Sequence, residues 1–295
     1  MYMEKKIFAL GFFDGVHLGH QALLAACREL ARENGCATAA ITFDRHPQSL
    51  FAEQPPKLLT TLDDRICLLK GYGMEQVLTL PVTPEIMGTP WEAFLEQLTE
   101  QGASGFVCGN DFRFGHKGEG NAQGLEQFCR ERDLPCTIVE QQELDGIRVS
   151  STHIRNLLEK GAMEEAVRML GHPYILSGTV VHGRGLGRTI GIPTANLLLS
   201  EQLLCPRFGV YACRAITELG SFCAVTNIGT RPTVGGSHVT VEPWLLDFSG
   251  DLYGKKLTLE FHAFLRPEQK FDSLQALQAE IQKNAGQTLE FFGRN

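Results

Sequence analysis

The chain has 295 residues, of which 43% are hydrophobic and 21% charged, and its formal net charge is −7 at pH 7. This length and composition are typical of a globular protein with two domains. The negative charge disfavours nonspecific binding to nucleic acid or to an anionic membrane, so any anion site has to be local. No apolar run reaches about 18 residues, and the run before Asp14 is too short for a signal peptide, so we expect neither a membrane span nor a signal peptide.

The nine cysteines are odd in number and scattered, and no Cys-x-x-Cys pair occurs among them. This distribution disfavours a structural zinc site, because such sites usually contain closely spaced cysteine pairs. Free thiols are typical of proteins in a reducing compartment. We therefore expect a cytoplasmic protein with reduced cysteines.

The first half of the chain alternates short apolar runs with segments of helical periodicity. The apolar runs predict strands at residues 7–11, 36–43, 76–80, 105–108 and 137–139. The periodic segments predict helices at residues 21–34, 63–70, 91–101 and 125–133. Strands that alternate with helices in this way predict a parallel sheet with helices on both faces.

The second half of the chain is dominated by strands and turns. Two short helices come first, at residues 151–160, where Ser151 or Thr152 can be the cap, and at 163–170. Apolar and polar residues then alternate, which predicts an antiparallel sheet or a small barrel. The predicted strands are 177–181, 209–216, 221–229, 238–248 and 256–264, and a final amphipathic helix covers 273–283. We place the domain boundary so that the domains are 1–171 and 172–295.

Two histidines, His17 and His20, lie beside glycines at the point where the first strand gives way to a helix. In an open parallel sheet, ligands bind outside the carboxyl ends of the strands, where helix N-termini present free N–H groups. Gly15 and Gly19 allow the backbone to approach an anion closely, and histidine donors can stabilise a phosphate chain whose charge grows during a reaction. From the spacing alone, histidines that merely cap or pack are the commoner alternative.

Two later segments carry groups suited to phosphate. GNDFRFG follows the fourth predicted strand, and RVSSTHIR precedes the next helix. Hydroxyls can donate to phosphate oxygens and arginines can neutralise them, although the serines can equally serve as helix caps. We interpret Arg113 as a solvated loop charge. The candidate phosphate groups are those of Arg148, Ser151, Thr152 and Arg155.

The segments FFDGVHLGH, GNDFRFG and SSTHIR, in this order, resemble the adenylyltransferase module of prokaryotic bifunctional riboflavin kinase/FAD synthetases. The resemblance covers about residues 7–170 and implies a Rossmann-like α/β fold of the HxGH nucleotidyltransferase superfamily. TFDRHP matches a further motif of the family, which implies flavin contacts at Phe43 and His46. By the same resemblance, the ATP site contains Gly15, His17, His20, Asp111, Arg148, Ser151, Thr152 and Arg155.

The resemblance also implies a mechanism for this first module. The phosphate of FMN attacks the α-phosphorus of ATP directly, and pyrophosphate leaves without a covalent enzyme intermediate. Catalysis then consists of positioning and charge stabilisation. His17 and His20 are expected to stabilise the departing negative charge rather than to act as nucleophiles.

A glycine-rich segment, GTVVHGRGLGRTIGIPTANL, opens the second half. It is not a Walker loop, because no Gly-Lys-Ser/Thr follows, and a turn-rich hairpin is the plain alternative. Thr194 and Asn196 stand two residues apart on an extended stretch, so their side chains share a face and offer oxygen ligands suited to Mg²⁺. Arg184 and Arg188 can serve phosphates.

PTAN, GVYA, NIGTRPT, VEPWLLDF and DLYGKKL together resemble the riboflavin kinase module of the same family, over about residues 178–271. The resemblance implies a small antiparallel β-barrel with a C-terminal helix. It implies that Thr194 and Asn196 bind Mg²⁺ with ATP and that Glu242 is the general base toward the ribityl 5′-hydroxyl. Without the resemblance, Glu242 reads as an exposed strand carboxylate. The remaining implied contacts are Gly183, Gly187 and Arg188 for ATP, and Asn227 and Arg231 for flavin.

Two such modules in series imply two reactions, riboflavin plus ATP to FMN and then FMN plus ATP to FAD, with Mg²⁺ as the metal. The expected partners are the small molecules ATP, riboflavin and FMN, with no nucleic acid and no membrane. One alternative is an enzyme in which only one half is active. Another is a flavin-binding regulator with inactive sites. The regulator is disfavoured because the residues that it would have lost are present, namely His17, His20, Thr194, Asn196 and Glu242.

Overall fold

The computed structural model describes residues 4–183, 187, 191–233 and 236–294, with only the backbone described at 231–233 and 236–238. Contacts divide the chain into a first unit, Met1–Ser151, and a second unit, Thr152–Asn295. This division assigns the two helices that follow residue 150 almost wholly to the second unit. The sequence-based boundary after residue 171 assigns them to the first domain, and it stays a prediction.

The first unit is built on a five-stranded parallel sheet in the order β3-β2-β1-β4-β5. Helices connect successive strands, as the alternating pattern predicts. The strands are β1 (Lys6–Leu10), β2 (Ala37–Phe43), β3 (Gln76–Leu80), β4 (Ala103–Gly109) and β5 (Cys136–Val139). The helices are α1 (Leu18–Asn34), α2 (Leu62–Gly71), α3 (Pro84–Met87), α4 (Trp91–Glu100) and α5 (Ala122–Glu131). A two-stranded hairpin, β6 (Glu143–Leu144) and β7 (Ile147–Arg148), follows.

Side chains of β1 alternate between two cores. Phe8 and Leu10 pack with residues of α4 and α5, whereas Ile7 and Ala9 pack with residues of α1 and α2. A parallel sheet buried on both faces in this way explains why its strands read as continuous apolar runs. The expected Rossmann-like fold is confirmed.

Two helices of the first unit begin three residues before their predicted starts. α1 begins at Leu18 and not at residue 21, because His17 acts as its N-cap. α5 begins at Ala122 and not at residue 125, because Asn121 caps it through a hydrogen bond from the N–H of Gly124. In both cases the cap, which is a local hydrogen bond, sets the start and the apolar periodicity does not.

The second unit opens with two short helices, α6 (Ser151–Lys160) and α7 (Met163–Leu170). Ser151 is the first residue of α6, so it is not the cap that the sequence suggested. Gly161 and Gly171, with φ of 82° and 73°, follow the two helices, because glycine adopts the left-handed conformation without strain.

Six antiparallel strands of the second unit form a closed barrel in the order β10-β11-β12-β9-β8-β13. Residues with inward-facing side chains alternate along β13, where Leu257, Leu259 and Phe261 are fully buried. The short strand β9 was not among the predicted strands. The strands are β8 (Tyr174–Val181), β9 (Asn196–Leu198), β10 (Gly209–Thr217), β11 (Gly220–Thr233), β12 (Gly236–Leu245) and β13 (Lys256–Pro267).

The C-terminal helix α8 (Leu274–Phe291) is longer than the predicted 273–283. Ser273 caps it, as its side chain accepts a hydrogen bond from the N–H of Ala276. Ala285 and Leu289 pack on barrel residues, and this contact extends the helix past the amphipathic stretch. All nine cysteines are free. Among the described helices, none has a stretch sufficiently long and apolar to cross a membrane.

Candidate active sites

The loop between β1 and α1 has an uncommon backbone conformation. Phe13 and Val16 have positive φ angles of 58° and 39°, in a region that residues with a Cβ rarely adopt. The buried carboxylate of Asp14 accepts hydrogen bonds from the N–H groups of Leu59, at 2.9 Å, and Thr60, at 3.1 Å. These bonds fix the loop, and the loop fixes the position from which α1 starts.

His17 and His20 lie side by side at the start of α1. Their rings are stacked, with centroids 3.7 Å apart and planes 14° apart. His17 Nδ1 accepts a 3.3 Å hydrogen bond from the backbone N–H of His20. Gly19 lies close to the pair, since a Cβ there would be 3.2 Å from Cε1 of His17. The shared face predicted from the spacing is confirmed, and capping is present at the same time.

The environment of His20 favours its uncharged form. Its Nδ1 is shielded from solvent and has no hydrogen-bond partner among the residues that the structure describes. Burial lowers the pKa of His20 well below the usual 6.5, and the charges of His17 and Arg65 lower this pKa further. A neutral imidazole still donates one N–H hydrogen bond, so His20 can act as a donor to an anion.

The two histidines line a pocket of about 300 Å³ at the carboxyl edge of the sheet, here called the histidine pocket. Asp111 and Arg148 also line it, and their side chains form an ion pair. The structure therefore brings together four of the residues predicted to bind ATP. Asp111 is bonded through Nη2 of Arg148, and the remaining N–H donors of this guanidinium can still bind a phosphate.

Gly15 and Ser151 support the loop that precedes the histidines. The N–H of Gly15 donates a 3.3 Å hydrogen bond to Oγ1 of Thr60. Oγ of Ser151 donates a 2.9 Å hydrogen bond to the carbonyl oxygen of Asp14. Neither residue lines the histidine pocket, and their contact with ATP stays a prediction.

An apolar cavity of about 210 Å³, here called the aromatic cavity, also lies in the first unit. The predicted flavin residue Phe43 lines it. His46 does not; its Nδ1 accepts a 3.1 Å hydrogen bond from the N–H of Gln48, and its ring meets the Phe12 ring edge-on, with centroids 5.2 Å apart. The aromatic and aliphatic wall includes Phe12, Ile41, Phe43, Leu80, Phe94, Phe112 and Phe114.

The aromatic cavity and the histidine pocket share part of their walls. Arg113, which the sequence analysis interpreted as a solvated loop charge, is exposed as expected but lines both of them. A flat apolar group in one and a phosphate chain in the other would meet at this shared wall. The other shared residues are Leu10, Gly11, Phe12 and Phe112.

Arg65 on α2 is a residue near this site that the sequence analysis missed. It is fully buried, its Cζ lies 4.5 Å from the centroid of the Phe12 ring, and its Nη2 donates a 2.6 Å hydrogen bond to the carbonyl oxygen of Phe43. Burial lowers its pKa to about 10, and the carboxylates of Asp14 and Asp44 oppose this shift. Arg65 thus supports two wall residues of the aromatic cavity from behind. Its only sequence signal is an arginine within a helix, and such arginines are ordinarily exposed.

Thr194 lines two cavities of the second unit. The glutamate cavity, of about 470 Å³, is lined also by Asn227, Glu242 and Trp244. The tyrosine cavity, of about 420 Å³, is lined also by Tyr253, whose ring stacks on that of His182 with centroids 3.8 Å apart. Thr194 therefore stands where a group in one cavity can meet a group in the other.

Glu242 faces the glutamate cavity. It lies directly opposite Asn227 on the antiparallel strands β12 and β11, and both side chains line the cavity. Trp244 lines it as well, so the predicted shared face of Glu242 and Trp244 is confirmed. Glu242 is half-buried. This placement fits a carboxylate that meets a ligand better than it fits an exposed strand residue.

Asn196, at the start of β9, is packed against the backbone of Gly183. A Cβ at Gly183 would lie 2.2 Å from Nδ2 of Asn196, and a Cβ at Gly187 would lie 2.1 Å from the carbonyl oxygen of Ile192. Only glycine leaves room for these approaches. Gly183 therefore lets its backbone approach Asn196, and Gly187 lets its backbone approach Ile192.

Several predicted site residues are not tested by these contacts. Arg184 and Arg188 lie outside the described residues, and Arg231 is described by its backbone only. Thr152 and Arg155 belong to the second unit, so their part in the first site stays a prediction. Among the described residues there is no group of three or more His, Cys, Asp and Glu side chains that could hold a metal ion.

Two family models match the chain in the order expected from the motifs. The FAD synthetase model matches residues 1–153, and the riboflavin kinase model matches residues 170–292. The segment between the two matches contains most of α6 and α7. The first match contains the histidine pocket and the aromatic cavity, and the second contains the glutamate cavity and the tyrosine cavity.

Curated relatives share this organisation over nearly their full length. A bifunctional riboflavin kinase/FMN adenylyltransferase of Listeria monocytogenes is 35% identical over 98% of this chain and 93% of its own, and one of Escherichia coli is 37% identical over 98% and 94%. A solved structure from Streptococcus pneumoniae, named a macrolide-efflux protein, matches with a TM-score of 0.88 at 28% identity, covering 98% of this chain and 95% of that one. The chain belongs to the family of bifunctional riboflavin kinase/FMN adenylyltransferases.

Proposed function

We propose that the two units of the chain carry out successive reactions at the sites described above. In the second unit, riboflavin is phosphorylated by ATP to give FMN. In the first unit, FMN is adenylylated by a second ATP to give FAD and pyrophosphate. The family assignment supports both activities, and the cavity walls support the assignment of residues to each.

The assignment of FMN adenylylation to the first unit rests on the wall that the aromatic cavity and the histidine pocket share. The isoalloxazine ring of FMN is flat and aromatic, with an apolar dimethylbenzene end, so it suits a cavity walled by Phe12, Phe43 and Phe112. The triphosphate of ATP suits the pocket of His17 and His20 at a helix N-terminus. The reacting phosphates then meet at the shared wall.

In this arrangement an oxygen of the FMN phosphate forms a bond to the α-phosphorus of ATP. The bond from the α-phosphorus to the bridging oxygen breaks, and pyrophosphate leaves with that electron pair. Negative charge grows on the pyrophosphate, where N–H donors of His17 and His20 stabilise it. The chain holds the reactants in line and needs no nucleophile of its own.

The kinase assignment rests on Thr194, which lines both the glutamate cavity and the tyrosine cavity. Riboflavin suits the glutamate cavity, where Trp244 offers an aromatic surface. The 5′-hydroxyl oxygen attacks the γ-phosphorus of ATP, its proton passes to the carboxylate of Glu242, and ADP leaves. The tyrosine cavity then holds the nucleotide.

The donor groups around Thr194 fit Mg²⁺. The hydroxyl of Thr194 and the amide oxygen of Asn196 are hard oxygen ligands, and Gly183 leaves the Asn196 amide room that a Cβ would fill. When bound there with ATP, Mg²⁺ neutralises charge on the phosphates. The oxygens of Thr194 and Asn196 would hold the cation, and Glu242 would remain available for the proton.

The two reactions are distinguished by their second products. Wild-type protein given FMN and ATP should release pyrophosphate and no ADP, and protein given riboflavin and ATP should release ADP before pyrophosphate appears. The proposal is contradicted if FMN plus ATP yields ADP as the main product, or if riboflavin yields no FMN.

A further inference from the structure

Arg113 lies where three cavities of the first unit meet. It lines the aromatic cavity, the histidine pocket and an outer cavity of about 720 Å³ that is also lined by His116 and Lys117. Of the residues common to the aromatic cavity and the histidine pocket, Arg113 is the charged one. A cation is therefore placed on the wall that separates an apolar site from a phosphate site.

The guanidinium of Arg113 is available to a ligand. Within the described part of the chain, its guanidinium forms no ion pair and no hydrogen bond. Nearby, Arg148 pairs with Asp111. The buried Arg65 donates through Nη2 to the carbonyl oxygen of Phe43, and its Nε and Nη1 have no partner among the described residues. Arg113 thus offers a full set of N–H donors to a ligand.

The loop around Arg113 is held on both sides. Phe114 and Gly120 exchange backbone hydrogen bonds of 3.1 and 2.9 Å, and the rings of Phe112 and Phe114 stack with centroids 5.6 Å apart. Gly118, with φ of 69°, lies so close that a Cβ there would be 3.3 Å from Cβ of Arg113. The backbone of Arg113 is therefore fixed, while its side chain is exposed and can reach a ligand.

We infer that Arg113 binds the phosphate of FMN and thereby selects a phosphorylated flavin as the substrate of the first unit. The inference rests on the placement of the flavin ring in the aromatic cavity proposed above. FMN ends in a monophosphate that carries a charge of about −1.5 to −2 at pH 7, as other phosphate monoesters do. With the ring in the aromatic cavity, that phosphate lies toward the histidine pocket, along the wall that contains Arg113.

A cation at this place also reduces the repulsion between the two reacting phosphates. The attacking FMN phosphate and the α-phosphate of ATP are both anions, so they repel each other as they approach. A guanidinium binds phosphate through two parallel N–H hydrogen bonds and holds one oxygen in a defined direction. Arg113 offsets the repulsion and orients the nucleophile, whereas His17 and His20 act on the leaving group.

The test compares Arg113→Gln with wild type in the full chain. We expect the KM for FMN in FAD formation to rise by about 10- to 100-fold, because a charged hydrogen-bonded pair is lost. The KM for ATP should stay within about twofold. Lumiflavin, which has the flavin ring but no ribityl chain and no phosphate, serves as a competitive inhibitor, and its Ki should not change. Arg113→Lys should restore part of the lost affinity.

A matched control is Lys117→Gln, which removes a charge from the same loop at a residue that lines only the outer cavity. It should leave the KM for FMN unchanged. Fluorescence of Trp91, measured in a Trp244→Phe background where it is the only tryptophan left, reports that the first unit of each variant is folded.

Several results would overturn the inference. An unchanged KM for FMN in Arg113→Gln excludes a phosphate contact. A rise in the KM for ATP alone assigns Arg113 to ATP, and a parallel rise in the Ki of lumiflavin makes its role structural. The placement of the ring is tested separately by Phe43→Ala, which should weaken lumiflavin binding. If it does not, the proposed placement fails together with the inference, although FAD formation by wild type still stands.

Discussion

The carboxylate of Asp14 accepts hydrogen bonds from both the N–H and the hydroxyl of Thr60, at 3.1 and 3.2 Å. Asp14 is 1% exposed, and it also accepts the N–H of Leu59. One buried carboxylate therefore satisfies three donors from a segment 45 residues away in sequence. Together with the hydrogen bonds of Gly15 and Ser151, this side chain holds the loop that ends in His17.

We expect Asp14→Ala to lower the free energy of unfolding of the first unit by about 2–4 kcal/mol, because it leaves buried N–H donors without acceptors. FAD formation should fall as well, since the loop no longer fixes His17. Unfolding can be followed by the fluorescence of Trp91 in a Trp244→Phe background, where Trp91 is the only tryptophan left. Glu33→Ala on the exposed face of α1 is the matched control, and an equal loss of stability there would contradict the prediction.

The lowered pKa of His20 predicts acid sensitivity of the first unit. In the unfolded chain His20 takes up a proton near pH 6.5, whereas in the folded chain it stays neutral to lower pH. Below about pH 6.5 the unfolded state therefore binds more protons, so stability falls as the pH falls toward the folded pKa. From pH 7.5 to 5.5 protonation of His20 in the unfolded chain should therefore lower the stability of the first unit.

The measurement is denaturant unfolding of wild type and His20→Gln at pH 7.5 and 5.5, again followed through Trp91. The variant should lose less stability than wild type over this range, because it has no imidazole that the unfolded state can protonate. Identical pH dependence in the two proteins would show that His20 titrates normally in the folded state.

Glu242→Gln should lower the rate of riboflavin phosphorylation by about 10²–10⁴-fold, because the carboxylate that accepts the hydroxyl proton is lost. Riboflavin binding should change little, and conversion of supplied FMN to FAD should be unaffected. Glu260→Gln, a carboxylate on β13 that lines neither cavity of the second unit, is the control. If Glu242→Gln phosphorylates riboflavin at the wild-type rate, Glu242 is not the general base and is an ordinary strand carboxylate.

Both reactions should require a divalent cation, and full activity after exhaustive EDTA treatment would contradict this. In the kinase reaction Thr194→Val should raise the Mg²⁺ concentration needed for half-maximal rate by at least about 10-fold, since it removes an oxygen ligand at nearly constant volume. FAD formation from FMN should not respond to this variant. Thr179→Val, at an exposed position on β8, should leave the Mg²⁺ requirement of the kinase unchanged.

The sequence predicted the parts of the fold that local periodicity controls. The alternation along β13 is an example, as Leu257, Leu259 and Phe261 are all buried. It did not predict the true end of α8, because Ala285 and Leu289 are held by packing against a distant part of the chain. It also missed the strand β9, which is too short for an alternating pattern and exists because β8 and β12 lie on either side of it.

In the candidate sites, too, residues in local motifs could be predicted, and residues placed by packing between distant segments could not. His17, His20, Thr194 and Glu242 were recognisable because motifs place them at strand ends or on one face. Arg65 was not, because its burial under Phe12 depends on how α2 packs and not on any local spacing. The position of Arg113 on the wall of two cavities was missed for a similar reason, because the sequence of a loop does not show which cavities its side chains line.

The central claim is that one chain carries two separable sites, and one measurement tests it most directly. Wild type, His20→Ala and Glu242→Gln are each incubated with riboflavin, ATP and Mg²⁺, and FMN and FAD are separated over time. Wild type should convert riboflavin to FMN and then to FAD. His20→Ala should accumulate FMN and form FAD about 10²–10³-fold more slowly, and Glu242→Gln should form little of either product. If His20→Ala remains folded and yet makes neither product, or makes FAD at the wild-type rate, the assignment of the two reactions to two separate sites is contradicted.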